Sequence, residues 1–153
     1  MIPFRSQPAA PRLAEGYRLL ENTPPSPEAL NRLLTLMGDP PRSTERWSLV
    51  LEHSLWHFSV LDPAEQLVGF VRITSDLALN ANLWDLAADP ADPEQRGVLL
   101  ALVHAALSRL RRELGGCSIS LSAPPAALEA LERHGFVVDP GGIRAMGLQL
   151  VRD

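Results

Sequence analysis

The stretch from Arg72 to Gly97, RITSDLALNANLWDLAADPADPEQRG, decides the fold. It reads as the end of one strand, a polar turn around Ser75 and Asp76, and a second strand from Asn82 to Ala88. Asp89, Pro90, Asp92, Pro93, Glu94, Gln95 and Arg96 then lead to Gly97, after which a long apolar helix begins. Leu83, Trp84, Leu86 and Ala87 suggest burial on both faces of the second strand. The strand before it, Leu67 to Thr74, is nearly apolar apart from Arg72, as expected of a central strand covered on both sides. In the helix, Val98, Leu99, Leu102, Val103, Ala106 and Leu110 make one apolar stripe. Arg109, Arg111 and Arg112 sit in its last turns, where cations oppose the negative end of the dipole, and Gly115 and Gly116 end it.

Working outward, residues 1 to 14 hold three prolines and few periodic apolar positions, so they are expected to form a loose arm, with a single domain over residues 15 to 153. Tyr17 to Glu21 reads as a short strand. Ser26 is placed to cap a helix with Pro27 in its first turn, Leu30, Leu33, Leu34 and Met37 on one face, and Gly38 as a left-handed stop. Ser43 to His53 forms a second helix with Trp47, Val50 and Leu51 inward. Trp56, Phe58 and Val60 alternate in a strand over Leu55 to Leu61, and Asp62 to Glu65 turns the chain back. Beyond the long helix, Cys117, Ile119 and Leu121 alternate with serines in a strand. Pro124 and Pro125 start a helix through Leu128 and Leu131, stopped at Gly135, and Phe136 to Val138 and Ala145 to Val151 read as two final strands. The fold expected is α/β (α+β by some schemes): a mixed central sheet of about six to seven strands flanked by about four helices.

Bulk composition narrows the function. A chain of 153 residues, 46% apolar and 21% charged, is long enough for one core. A net charge of −4 provides no broad basic field, so nucleic acid is not an expected partner. No apolar run approaches the roughly 20 residues needed to span a bilayer, so no membrane partner is expected. Arg5, Pro8 and Pro11 interrupt the N-terminus where a secretory signal needs an apolar core, so a cytoplasmic location is expected. Cys117, the single cysteine, excludes an internal disulfide and any multi-cysteine metal site, and its apolar setting reads as buried. His53 and His57 have i, i+4 spacing, but a helix ends and a strand begins between them, so no metal site is expected. All fourteen cationic side chains are arginine.

The order strand, two helices, three strands, helix, strand, helix, two strands, together with the Arg72 to Gly97 motif, resembles the GNAT-type N-acetyltransferases. The likeness is greatest to the plastid and cyanobacterial branch that includes serotonin N-acetyltransferases. The resemblance covers roughly residues 16 to 151 and implies acetyl-CoA as cosubstrate and an amine as acceptor, with the oligomeric state open and a homodimer admitted. Family members hold acetyl-CoA between two splayed parallel strands, here Asn82 to Ala88 and Cys117 to Ser122. The pantetheine arm would run along Leu86, Ala87 and Ala88. The pyrophosphate would meet backbone amides at Gln95, Arg96, Gly97, Val98, Leu99 and Leu100, because the first amides of a helix lack internal partners. Asp85, after the tryptophan of this strand, matches a base that takes a proton from the incoming ammonium, and apolar neighbours would raise its pKa towards neutrality. Ser75, Asp76, Asn80, Asn82 and Trp84 would line the amine side.

The chain departs from the family pattern in four places. Aligned through Gly97, Glu94 stands where Gln or Arg is usual, and Leu99 where Gly or Ala lets the backbone approach a phosphate, so Leu99 is expected to obstruct. One extra residue after Pro90 would allow Gln95 to replace Glu94. Leu131 stands where a tyrosine usually protonates the departing thiolate, and Pro124 replaces an Asn or Asp. Tyr17, on the first strand, is not expected to substitute. These departures support an alternative reading, a catalytically degenerate GNAT-fold protein acting as a ligand-sensing or protein-interaction module.

Overall fold

The computed structural model describes residues 8–142 and 146–148. Five strands form one sheet in the order β1-β2-β3-β4-β5. They are β1 (Arg18–Glu21), β2 (Trp56–Leu61), β3 (Leu67–Ser75), β4 (Asn80–Ala88) and β5 (Ser118–Ser120). The first four run antiparallel in a meander, and β5 joins β4 in parallel after the crossover helix. Among the described residues four α-helices cover the sheet: α1 (Pro27–Thr35), α2 (Thr44–Glu52), α3 (Gln95–Glu113) and α4 (Leu128–Arg133).

The helix starts follow their expected chemistry. The Ser26 hydroxyl accepts from the Ala29 amide and the Ser43 hydroxyl from the Arg46 amide, each satisfying one of the donors a helix leaves open at its start. Each helix pair covers one face. Leu30, Leu33, Leu34 and Trp47 pack with Phe70 and Ala87 on one side. On the other, Val98, Leu99, Leu102, Val103 and Ala106 of α3 pack with Phe58, Val71, Ile73, Leu83 and Leu86. Gly69 is where α3 crosses closest to the sheet. A Cβ there would lie 2.4 Å from Cγ1 of Val98, so only glycine lets the first turn of α3 sit this near β3.

Among the described residues the sheet has fewer strands than expected. Phe136 to Val138 forms no strand: Gly135 turns the chain at φ +95°, Phe136 packs against the core, and Val137 and Val138 project into solvent with no ladder partner among the described residues. Of the expected strand at Ala145 to Val151, only 146–148 fall within the described residues, and these are not in a strand. The arm is tied down at its inner end, where Leu13 packs against the core. Two boundaries also move. β4 begins at Asn80, two residues earlier than the sequence pattern suggests, and α3 at Gln95, three residues earlier.

Candidate functional site

The central feature is a β-bulge in β4. Arg72 pairs with Trp84 and Phe70 with Ala87, so Asp85 and Leu86 together face Val71 alone. Asp85 takes the left-handed conformation at φ +55°, an uncommon state for a non-glycine residue and one that clusters at functional sites. The extra residue shifts the alternation of the strand. Leu83 lies in the α3-side core before the bulge and Leu86 and Ala88 lie there after it, while Asp85 stays out. Strict alternation from Leu83 would have driven the Asp85 carboxylate into that core.

The bulge coincides with a gap. β5 pairs with β4 only at Asn80, Ala81 and Asn82, then ends at Ser120 while β4 continues to Ala88. Among the described residues no strand lies beside the β4 edge from Leu83 onward. The side chains of Leu86, Ala87 and Ala88 are buried, so what this edge offers is backbone. The Ala88 carbonyl already accepts from Nε2 of Gln95 at 3.4 Å, which places Gln95, not Glu94, at the end of β4.

The surroundings of Asp85 differ from the apolar setting expected. Its Oδ2 lies 2.5 Å from Nε of Arg72, with the two side chains 17% and 18% exposed. The bulge turns the carboxylate onto the face that Arg72 occupies, and the premise of an apolar surround does not hold. Arg72 also lies over the Trp84 ring, 5.8 Å from its centroid, and reaches the Ser54 hydroxyl at 3.5 Å. Trp84, 44% exposed, donates from Nε1 to the Thr74 hydroxyl at 2.8 Å. His57 stands opposite Arg72 in the β2–β3 register, and burial holds its imidazole below the ordinary pKa. Arg72, Thr74, Ser54 and His57 were not assigned to the site from sequence. A lone charge in an apolar strand was the available signal for Arg72, and the bulge that brings Asp85 to it has no sequence signature.

At the start of α3, Gln95 donates its amide to the Asp92 carbonyl and Val98 donates to the Glu94 carbonyl. Leu99 and Leu100 lie within the helix, so of the six expected amides those of Arg96 and Gly97 are the first-turn donors without an acceptor inside it. Glu94 stands at the cap position without a side-chain capping bond. A Cβ on Gly97 would meet only Oε2 of Glu94, at 3.7 Å, so the chain's own packing does not demand glycine there and the turn stays open for a phosphate to approach. The expected obstruction by Leu99 does not occur: the side chain is 2% exposed and packed in the α3-side core, because the helix turns it away from the gap. Arg96 is held by Glu129 of α4 through two hydrogen bonds of 2.9 and 2.6 Å. These residues fit a pyrophosphate through backbone donors more than through a free cation.

Other expected positions separate. Ser75, Asp76 and Asn80 build the β3–β4 turn: the Ser75 hydroxyl donates to the Asn80 carbonyl, and Oδ1 of Asp76 accepts from the amides of Ala78, Leu79 and Asn80. Those three amides hold the Asp76 carboxyl at about 2. Asn82 lies where β4 and β5 still pair, 3.4 Å from the Ser120 hydroxyl. Leu131 is 2% exposed in the core and contributes no proton donor. Cys117 is half-buried ahead of β5, not fully buried. His53 and His57 sit on different elements; His53 closes α2 with Nδ1 on the Leu49 carbonyl.

No family model matches the chain. A Porphyra purpurea protein named as an uncharacterized N-acetyltransferase is 31% identical over 121 residues, covering 76% of this chain and 68% of its own length. A rice protein named serotonin N-acetyltransferase 2, chloroplastic, is 34% identical over 124 residues, covering 77% of this chain and 60% of its own. A Staphylococcus aureus structure described as a probable acetyltransferase superposes with a TM-score of 0.75 at 18% identity, covering 88% of this chain and 99% of its own. The chain belongs to the GNAT-type N-acetyltransferase family. It spans about two thirds of the length of these two sequence relatives.

Proposed function

We propose that the chain transfers an acetyl group from acetyl-CoA to a primary amine by direct attack within a ternary complex. The observation that carries this reading is the β4–β5 gap: it opens beside the first-turn amides of Arg96 and Gly97, and the one bulky side chain expected to close it, Leu99, is in the core. The bound thioester would supply an electrophilic carbonyl, so that amine attack forms the amide C–N bond, breaks the C–S bond and releases coenzyme A as its thiol. The edge of β4 at Leu86, Ala87 and Ala88 supports the pantetheine arm in place of a missing strand. Arg96 and Gly97 bind the pyrophosphate through their N–H groups.

Asp85 accepts the proton of the incoming ammonium, since only the neutral amine attacks. Arg72 fixes the carboxylate through Oδ2. The exposed Trp84 ring favours an arylalkylamine acceptor, a reading supported by the name of the rice relative; a protein N-terminus and a lysine side chain are the other acceptor classes. Leu131 supplies no acid, which slows the reaction by about 10² to 10⁴ relative to a site with one. The same missing donor favours the second reading, a binding module without turnover. Calorimetric titration separates the two: micromolar acetyl-CoA binding supports the transferase, and silence at millimolar cosubstrate supports the module. Thiol release across a panel of arylalkylamines, peptide N-termini and lysine peptides then identifies the acceptor.

A further inference from the structure

We infer that Tyr17 is a positioning residue for the phosphate-binding turn, holding Asp92 so that the Arg96 and Gly97 amides stay aimed into the β4–β5 gap; this rests on the acetyl-CoA reading above. Tyr17 stands just before β1, separated from β4 by two strands, yet its hydroxyl donates to Oδ1 of Asp92 at 3.0 Å and lies 3.2 Å from Oδ2. Asp92 in turn organises the entry to α3. Its Oδ1 accepts the Glu94 amide at 2.8 Å, and its carbonyl accepts the Gln95 amide at 3.2 Å.

Within the loop the other restraints are short-range: the Ala91 amide donates to Oδ1 of Asp89 at 2.8 Å and the Asp92 amide to the Asp89 carbonyl at 3.1 Å. Pro90, Ala91, Pro93 and Glu94 are exposed. At its other end Asp89 ties to β3, donating its amide to the Val68 carbonyl at 2.8 Å. Beyond these local bonds, Asp89 ties the loop to β3 and Asp92 ties it to Tyr17. Gly16 delivers the ring: it sits at φ +81°, and a Cβ there would lie 2.9 Å from Cγ of Pro63.

Charge gives the contact a second consequence. A carboxylate at a helix N-terminus competes with a phosphate for the same positive dipole end and repels it. The Tyr17 hydroxyl lies within reach of both Asp92 oxygens, and the Glu94 amide shares Oδ1, so the carboxylate is occupied by partners of this chain. Partial burial first, then the hydrogen bond and charge of Asp92, push the phenol up to about 12, so it keeps its proton at any working pH.

The test compares wild type and Tyr17→Phe, which keeps the ring, by calorimetry with acetyl-CoA and with S-acetylpantetheine, which lacks the pyrophosphate. Hydrogen exchange of the Ala91 to Gly97 amides is followed in the free proteins. Tyr17→Phe is expected to weaken acetyl-CoA about tenfold and S-acetylpantetheine by less than about twofold, with faster exchange confined to the loop and first turn. Wild-type-like acetyl-CoA affinity in the variant, or equal losses for both thioesters, overturns the positioning role while leaving the transferase reading intact. Absence of acetyl-CoA binding by the wild type overturns both.

Discussion

Adding one methyl group at Gly69 is expected to cost about 2 kcal/mol of stability, within the roughly 1–3 kcal/mol typical of overpacked cores. A Cβ there would stand 2.4 Å from Cγ1 of Val98, 3.0 Å from Cδ1 of Leu102 and 3.4 Å from Cβ of Val60. All three neighbours are fully buried, so none can swing into solvent. The helix must move instead. At about 2–4 °C per kcal/mol for a domain of this size, Gly69→Ala should melt about 4–8 °C below wild type, with a matching fall in the urea midpoint. Val98→Ala removes the nearest obstacle. Alone it should cost about 1–3 kcal/mol, but the double variant should be more stable than the sum by about 1 kcal/mol or more. Because Val98 adjoins Gly97, acetyl-CoA affinity should fall in Gly69→Ala and recover in the double variant. A Gly69→Ala protein within about 0.5 kcal/mol of wild type, or strictly additive losses in the pair, would refute the close approach of α3 to β3.

Three further outcomes are expected. Asp85→Asn should lower turnover at neutral pH about 10²-fold with acetyl-CoA affinity unchanged, measured by thiol release and calorimetry; undiminished turnover removes Asp85 from the base role. Leu99→Ala should cost about 2–5 kcal/mol in chemical denaturation without tightening acetyl-CoA, since its side chain fills the core and not the gap. Tighter binding at unchanged stability would show the opposite. His57 is held below its ordinary pKa by burial, so the folded state binds its proton less readily than the unfolded chain does. Its contribution to stability is therefore full above about 6.5 and declines as pH falls below that value. The denaturation midpoint of wild type should drop between pH 7 and 5, and the drop should be shallower in His57→Gln; parallel profiles would exclude His57 as a source.

Much of the fold was legible because it is local. Ser26 caps the helix it is expected to cap, and Ser43, placed by the sequence pattern at the start of the second helix, proves to be its cap, since an N-cap needs only an oxygen three residues ahead of a free amide. The apolar stripe of α3 lies in the core in the periodic order in which it is written. The run of residues from Arg72 to Gly97 likewise determined two strands, a turn and a helix start. Tertiary structure decided what that run does. The bulge at Asp85 depends on pairing across the sheet, and it placed the carboxylate on Arg72 and not in an apolar pocket. The spacing of Leu99 to Gly97 predicts an obstacle, but helix rotation against the sheet turns it inward. Tyr17 and Asp92 meet across 75 positions of chain, a contact no periodicity encodes. Backbone hydrogen bonding and side-chain pattern act over a few residues and can be read in order; register, rotation and long-range contact arise only when separate elements compete for one core.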